Sequence, residues 1–166
     1  MAEKIKFFPT KRYIEFLKNS NANLESFWEK EAEKIPWFKH WEKVLEWEEP
    51  YAKWFTGGIL NASFACLDAH LYTWRKNKVA IYWEDEKGNT KSFSYAQLHK
   101  EVNRLASVLK NIGVKKNDVV VLYLPMIPES VFSMLAVARI GAIHTVVFSG
   151  FSSQALRDRI NDLGAK

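Results

Sequence analysis

The clearest periodicity in the chain is an apolar stripe in its second half. Its members recur at steps of three and four residues, the spacing of one face of an α-helix, and they are Leu98, Val102, Leu105, Leu109 and Ile112. Ser94 and Gln97 precede the stripe at the spacing of a capping box, and Gly113 follows it where a left-handed residue ends a helix. The pattern predicts a helix that begins after Ser94 and ends at Gly113.

Two short runs after this helix are apolar at nearly every position, residues 119–124 and 143–148. Continuous apolar runs of this length are typical of strands covered on both faces, as in parallel sheets. Pro128 suits the first turn of a helix between the two strands, and Gly141 suits its end. A last helix is predicted from Ser152 or Ser153 to near Gly164. The alternation of strand and helix predicts an α/β fold with a parallel sheet.

The apolar stretch 131–148 has the length of a membrane span, but it carries Arg139 and His144. A charged side chain near the bilayer centre is costly, so we interpret the stretch as a buried helix and strand and expect no membrane partner. Upstream, residues 79–83 and 90–95 are strand-forming runs around a turn that contains Gly88, which predicts a β-hairpin.

The first part of the chain, residues 1–76, is predicted to be a helical domain rich in tryptophan. One helix is expected from the cap Asn23 to Pro36, and another from the cap Asn61 through Trp74. Six of the seven tryptophans lie in this part: Trp28, Trp37, Trp41, Trp47, Trp54 and Trp74. We favour packing anchors over a surface for stacking sugars or bases, because grouped basic residues are missing.

Charge and composition narrow the function classes. The chain carries a net charge of +5, and most of the excess lies in residues 77–166, with 12 Lys or Arg against 8 Asp or Glu. These lysines are scattered and match no nucleic-acid motif, so we expect no nucleic-acid partner. The single cysteine, Cys66, excludes an internal disulfide and a cysteine metal cluster, and it favours a reducing, cytoplasmic compartment. His99 is expected on the polar, exposed side of its helix.

Ligands collect at the carboxyl ends of strands in parallel sheets, and two predicted loops occupy that position. They are the segments Pro125-Met-Ile-Pro128 and Phe148-Ser-Gly-Phe-Ser152. The second segment is neither a dinucleotide fingerprint nor a P-loop, and tight strand-to-helix turns use Ser and Gly routinely. A ligand-binding loop and an ordinary turn both remain open from these residues alone.

Several segments of the chain resemble the acetyl-CoA synthetase family of AMP-forming acyl-CoA ligases, within the adenylate-forming superfamily. The likeness runs from about Leu24 to Lys166, and it rests on the segments Trp54-Phe-Thr-Gly-Gly-Ile-Leu-Asn61, Cys66-Leu-Asp68, Tyr123-Leu-Pro-Met-Ile-Pro-Glu129, Ala138-Arg-Ile-Gly-Ala-Ile-His144 and Val147-Phe-Ser-Gly-Phe-Ser152. The resemblance implies that residues 1–76 are the N-terminal extension and residues 77–166 the first strand–helix units of the AMP-binding domain. It also implies a sheet that this chain leaves incomplete.

For the complete enzyme, the resemblance implies ATP, CoA and Mg²⁺ as cofactors and a short-chain carboxylate, of the acetate or propionate class, as substrate. Family members bind ATP and metal through a loop ending in Pro-Lys-Gly, an acidic motif and a mobile lysine, none of which occurs in these residues. The chain is therefore expected to be an inactive N-terminal portion, with no catalytic and no metal-binding residue. The remainder of the enzyme is then a possible partner in trans.

By the same resemblance, Phe148, Ser149 and Gly150 are expected to bind the adenine and ribose end of CoA. Most members have two glycines after the phenylalanine, and here Ser149 takes the first place. An alternative from a different class is a stand-alone, non-catalytic module that binds a nucleotide or CoA or docks onto a companion chain. Either way, an incomplete parallel sheet exposes an apolar edge, which predicts self-association.

Overall fold

The computed structural model describes residues 10–165. The chain divides into two compact units, Met1–Ile59 and Leu60–Lys166. The domain limits expected from composition, residues 1–76 and 77–166, remain a prediction. No helix among residues 10–165 is long and apolar enough to cross a membrane.

The first unit combines two helices with a β-hairpin. Its elements are α1 (Lys11–Ala22), α2 (Leu24–Ala32), β1 (Lys43–Glu48) and β2 (Tyr51–Thr56). The predicted cap is confirmed, because the Asn23 side chain accepts a hydrogen bond from the Ser26 N–H at 3.0 Å. The unit also contains a β-hairpin that the sequence did not predict, in which β1 and β2 pair in antiparallel register from Lys43↔Thr56 to Glu48↔Tyr51.

Aromatic rings pack around the second strand of this hairpin. The Trp37 ring lies 5.1 Å from that of Trp41 and 5.5 Å from that of Phe55, and its Nε1 donates to the Ala32 carbonyl at 2.9 Å. A Cβ on Gly58 would stand 2.7 Å from the Trp37 ring, so only glycine fits there. These contacts agree with the packing interpretation for Trp37 and Trp41. The other tryptophans of residues 1–76 are exposed: Trp28, Trp47, Trp54 and Trp74.

The second unit follows the predicted order of strands and helices. It begins with a π-helical turn at Phe64–Asp68, a single turn α3 (Ala69–Leu71) and a 3₁₀ turn at Trp74–Asn77. Its longer elements are β3 (Val79–Glu84), β4 (Thr90–Ser94), α4 (Tyr95–Asn111), β5 (Val119–Leu124), α5 (Pro128–Arg139), β6 (Ile143–Phe148) and α6 (Ser153–Leu163). The hairpin of β3 and β4 and the capping box of Ser94 and Gln97 are confirmed.

The predicted continuous helix from Asn61 through Trp74 is wrong. Asn61 does cap a helical turn, since its Oδ1 accepts from the Phe64 N–H at 3.1 Å. The helical path then breaks at Tyr72, and the Thr73 hydroxyl accepts from the Arg75 N–H at 3.2 Å to start a new turn. Apolar spacing alone did not reveal this cap, because the Thr73 hydroxyl bonds to a backbone N–H at the start of the next turn and ends the preceding one.

The apolar core of the second unit lies between α4, α5 and the turn before α3. Its buried members are Leu67, Leu98, Val102, Ala106, Phe132 and Ala136. Strands β5 and β6 pair in parallel with Val119↔Ile143 and Leu124↔Phe148 at the two ends of the register. The carboxyl ends of both strands therefore lie side by side, and the segments that follow them, residues 125–128 and 148–152, border the same edge of the sheet.

Candidate functional site at the carboxyl ends of two parallel strands

The loop that follows β6 is a tight turn leading into α6. The Phe151 N–H donates to the Phe148 carbonyl at 3.0 Å and closes the turn. The Ser152 hydroxyl then accepts from the Ala155 N–H at 3.3 Å, which caps α6. The three residues expected to bind CoA, Phe148, Ser149 and Gly150, therefore lie together in one turn at the strand end.

An aromatic ring and a glycine dominate the outer surface of this turn. The Phe148 side chain is 60% exposed, although it ends a strand whose preceding residue, Val147, is buried. A Cβ on Gly150 would lie 2.6 Å from the Phe148 ring, so the ring position requires glycine there. The Phe151 ring meets that of Phe148 edge-on at 6.4 Å. The turn thus offers an exposed aromatic surface beside bare backbone.

The loop that follows β5 lies next to this turn and is held by side chains from two other elements. The Trp83 Nε1 donates to the Met126 carbonyl at 2.8 Å, and the Ser130 hydroxyl donates to the Pro125 carbonyl at 2.7 Å. The Met126 side chain is exposed. Both segments that the sequence singled out therefore border the same edge of the sheet.

Tyr123 on β5 contacts the turn that follows β6. Its hydroxyl lies 2.7 Å from the Ser149 carbonyl oxygen and 2.9 Å from the Phe151 carbonyl oxygen. From the sequence, Tyr123 is notable only as the first residue of a motif, because nothing in a single strand shows what its side chain reaches. The signal available was the position of a tyrosine one residue before the end of an otherwise aliphatic strand.

Positive charge borders the turn, and the residues that the structure describes do not cluster into a metal site. The Arg159 guanidinium on α6 lies 5.3 Å from the centre of the Phe151 ring. Among residues 10–165, no group of three or more His, Cys, Asp or Glu side chains is placed to hold a metal ion. Because Mg²⁺ prefers clustered oxygen ligands, these residues do not fit the metal that the family resemblance implies for the complete enzyme.

A second polar cluster lies away from the loops, around Asp68. Its carboxylate accepts two hydrogen bonds from Arg139, at 2.6 and 2.7 Å, and lies 3.2 Å from His99 Nε2. The hydrogen bonds from Arg139 hold the pKa of the Asp68 carboxyl below its usual value, and the same contact raises the pKa of Arg139.

This cluster corrects the expectation for His99, whose side chain is mostly buried and engaged with Asp68 and Asn103. Sequence reasoning also missed the pairing of Asp68 with Arg139, although both belong to the motif segments. Asn61 completes the arrangement by donating to the Ala138 carbonyl at 3.0 Å. The cluster ties the turn before α3 to α4 and α5, which is a structural role.

The sequence matches two protein families that divide the chain between them. Residues 13–66 match the acetyl-coenzyme A synthetase N-terminus, and residues 67–166 match the AMP-binding enzyme family. The acetyl-coenzyme A synthetase of Gemmatimonas aurantiaca is 56% identical over 145 residues, which cover 87% of this chain and 22% of the relative. That of Pyrobaculum aerophilum is 52% identical, with 95% of this chain and 25% of the relative covered.

Among solved structures, the acetoacetyl-CoA synthetase from Streptomyces lividans is similar, with a TM-score of 0.83 and 27% sequence identity. The match covers 95% of this chain and 24% of that structure. The chain thus spans about a quarter of the length of the relatives it matches. It belongs to the AMP-binding enzymes, and it corresponds to the N-terminal portion of the acetyl-coenzyme A synthetases.

Proposed function

We propose that the chain is the N-terminal part of an AMP-forming synthetase that joins a short-chain carboxylate to CoA. Within that enzyme, this part binds the nucleotide end of CoA. One observation carries the second half of this proposal. In a chain whose relatives are acetyl-coenzyme A synthetases, the turn of Phe148, Ser149 and Gly150 stands exposed at the carboxyl end of a parallel strand pair.

The proposed reaction has two steps. A carboxylate oxygen attacks the α-phosphorus of ATP, the bond to pyrophosphate breaks, and an acyl adenylate forms. The thiolate of CoA then attacks the acyl carbon, and AMP leaves with the bonding electrons of the acyl–oxygen bond. Catalysis of the first step depends on holding phosphates and neutralising their charge. We propose that the groups that bind the phosphates lie in the remaining three quarters of the synthetase, which this chain does not cover.

Chemistry at the turn suits an adenine nucleotide. The exposed Phe148 ring offers a face on which a base can stack, an interaction worth about 1–3 kcal/mol. The amino end of α6 follows directly, and helix N-termini favour phosphate groups. Since Gly150 has no side chain, the Phe148 ring can lie against the turn and present its outer face to a base.

The first test is a calorimetric titration of CoA into the purified chain. We expect measurable binding, and competition by adenosine 3′,5′-bisphosphate, which carries the nucleotide end of CoA without the pantetheine arm. Phe148→Ala is expected to weaken CoA about tenfold, the value of one lost stacking contact. Tyr72→Ala removes an aromatic ring that is also exposed, away from the turn, and should leave the affinity unchanged. Equal affinities for the two variants would contradict the assignment.

A second test concerns activity. The loop ending in Pro-Lys-Gly and the acidic motif through which family members bind ATP do not occur in residues 10–165. The purified chain is therefore expected to release no AMP from ATP, acetate and CoA. Formation of AMP that depends on both acetate and CoA would contradict this expectation. The same assay on a full-length synthetase carrying these residues as its N-terminal portion provides the positive control.

A further inference from the structure

We propose that Tyr123 is a positioning residue for CoA: its hydroxyl orients two peptide groups of the turn so that their N–H groups are available to the ligand. This inference rests on the proposed function of the turn. Tyr123 stands one residue before the end of β5, where its backbone pairs with Val147 of β6. The side chain therefore reaches across the strand end to the neighbouring loop.

The contact involves two carbonyl oxygens and one hydroxyl. Tyr123 Oη lies 2.7 Å from the Ser149 oxygen and 2.9 Å from the Phe151 oxygen, both within hydrogen-bond range. A phenol carries a single proton, so the two carbonyls share it. Because both carbonyls point toward the Tyr123 hydroxyl, the contact fixes the orientation of two peptide planes, Ser149–Gly150 and Phe151–Ser152.

These orientations determine where the following N–H groups point. The only cis peptide bond among the described residues joins Glu49 and Pro50, so the peptides after Ser149 and Phe151 are trans. In a trans peptide the N–H points opposite to the C=O. The Gly150 and Ser152 N–H groups therefore point away from Tyr123. Within residues 10–165 neither meets an acceptor, and both residues are exposed.

Two outward N–H groups on one turn suit an acceptor-rich ligand, such as a phosphate or a ring nitrogen of adenine. Without the Tyr123 hydroxyl, water must satisfy both carbonyls, and the two peptide planes gain freedom to rotate. The bound ligand would then have to order the turn itself, which weakens its affinity. Tyr123 would act only through the turn, since its hydroxyl is occupied by the backbone.

The test substitutes Tyr123→Phe in a full-length acetyl-coenzyme A synthetase that carries these residues as its N-terminal portion. Loss of a hydrogen bond of ordinary strength predicts a rise in the KM for CoA of about three- to tenfold. The kcat and the KM for ATP should stay unchanged. Acetate-dependent exchange of pyrophosphate into ATP, which needs no CoA, should also keep its rate. Tyr82→Phe, the same change on an exposed tyrosine of β3, is the matched control.

Three outcomes are informative. A rise in the KM for CoA alone supports the positioning role. An unchanged KM, or an equal loss in every kinetic constant with a lower melting temperature, overturns it, because the hydroxyl is then dispensable or merely stabilises the fold. Gly150→Ala distinguishes failure of the Tyr123 role from failure of the proposed CoA site. If Gly150→Ala raises the KM for CoA and Tyr123→Phe does not, only the role of Tyr123 fails. If neither does, the turn is not the CoA site.

Discussion

At the scale of single residues, the most buried ion pair within residues 10–165 joins Asp68 and Arg139. Both side chains are largely buried, at 14% and 22% exposure, and the guanidinium binds the carboxylate through two nitrogens. A buried ion pair adds little to the free energy of unfolding relative to apolar side chains of the same size. Removal of one partner is destabilising, because it leaves a buried charge without compensation. The surface pair of Arg104 and Glu101 has no comparable burial on its arginine side.

Arg139→Ala is therefore expected to lower the free energy of unfolding by about 2–3 kcal/mol, slightly less than the loss of about 3–5 kcal/mol typical of a broken buried pair, because some solvent reaches the site. The measurement is urea denaturation followed by circular dichroism. Arg104→Ala is the control, with an expected loss below about 1 kcal/mol, as for exposed pairs. Equal losses for the two variants would show that Asp68 tolerates the absence of its partner.

The lowered pKa of Asp68 makes a prediction about acid stability. The hydrogen bonds from Arg139 depress the pKa in the folded state below the ordinary value of 3.8. Between the two pKa values the unfolded chain binds more protons, so the contribution of Asp68 is present above pH 3.8 and is lost as pH falls through the folded pKa. Wild-type protein should thus lose more stability on acidification below pH 3.8 than Asp68→Asn does. Parallel acid-unfolding curves would contradict this.

At the scale of elements, α4 shows how far local chemistry specifies structure. Its stripe, its capping box and its ending at Gly113 are all found in the structure. The Ser94 hydroxyl accepts from the Gln97 N–H at 3.2 Å, and the Gln97 side chain accepts from the Ser94 N–H at 2.8 Å. Each of these bonds joins residues three positions apart, so no distant partner is needed.

Ser94→Ala removes half of this capping box and is expected to destabilise the second unit by about 1 kcal/mol. Ser107→Ala, the same change at an exposed position within α4, should be neutral or slightly stabilising, because alanine favours a helix interior. Both are measured as shifts in the urea midpoint at constant slope. A larger effect at Ser107 than at Ser94 would refute the role of the cap.

At the scale of the whole molecule, β5 and β6 form a two-stranded parallel sheet within the described residues. Val146 and Phe148 are alternate residues on one face of β6, and they are 53% and 60% exposed. β6 is an edge strand of this sheet, and exposed apolar side chains on an edge strand promote pairing with another chain. Self-association, expected from the sequence, remains a prediction, and the exposed face of β6 is the surface through which we expect it.

The purified chain is expected to show a weight-average mass that rises with concentration in sedimentation velocity. Val146→Lys should suppress the rise, because a charged side chain on an edge strand opposes further pairing. Val108→Lys is the matched control, since Val108 is 52% exposed but lies on α4. A single monomeric species at every concentration would contradict the prediction.

Caps, turns and apolar periods depend on residues within a few positions of one another, so they were enough to predict the strands and helices from β3 to α6, and the resemblance of several segments pointed to the family. The hairpin of β1 and β2 and the break after α3 escaped those rules. The packing of the elements brings together side chains that are far apart in the sequence: Asp68 with Arg139, 71 positions apart, and Tyr123 with Ser149, 26 apart. Such pairs depend on how the elements pack, and packing juxtaposes residues whose separation along the chain leaves no periodic trace.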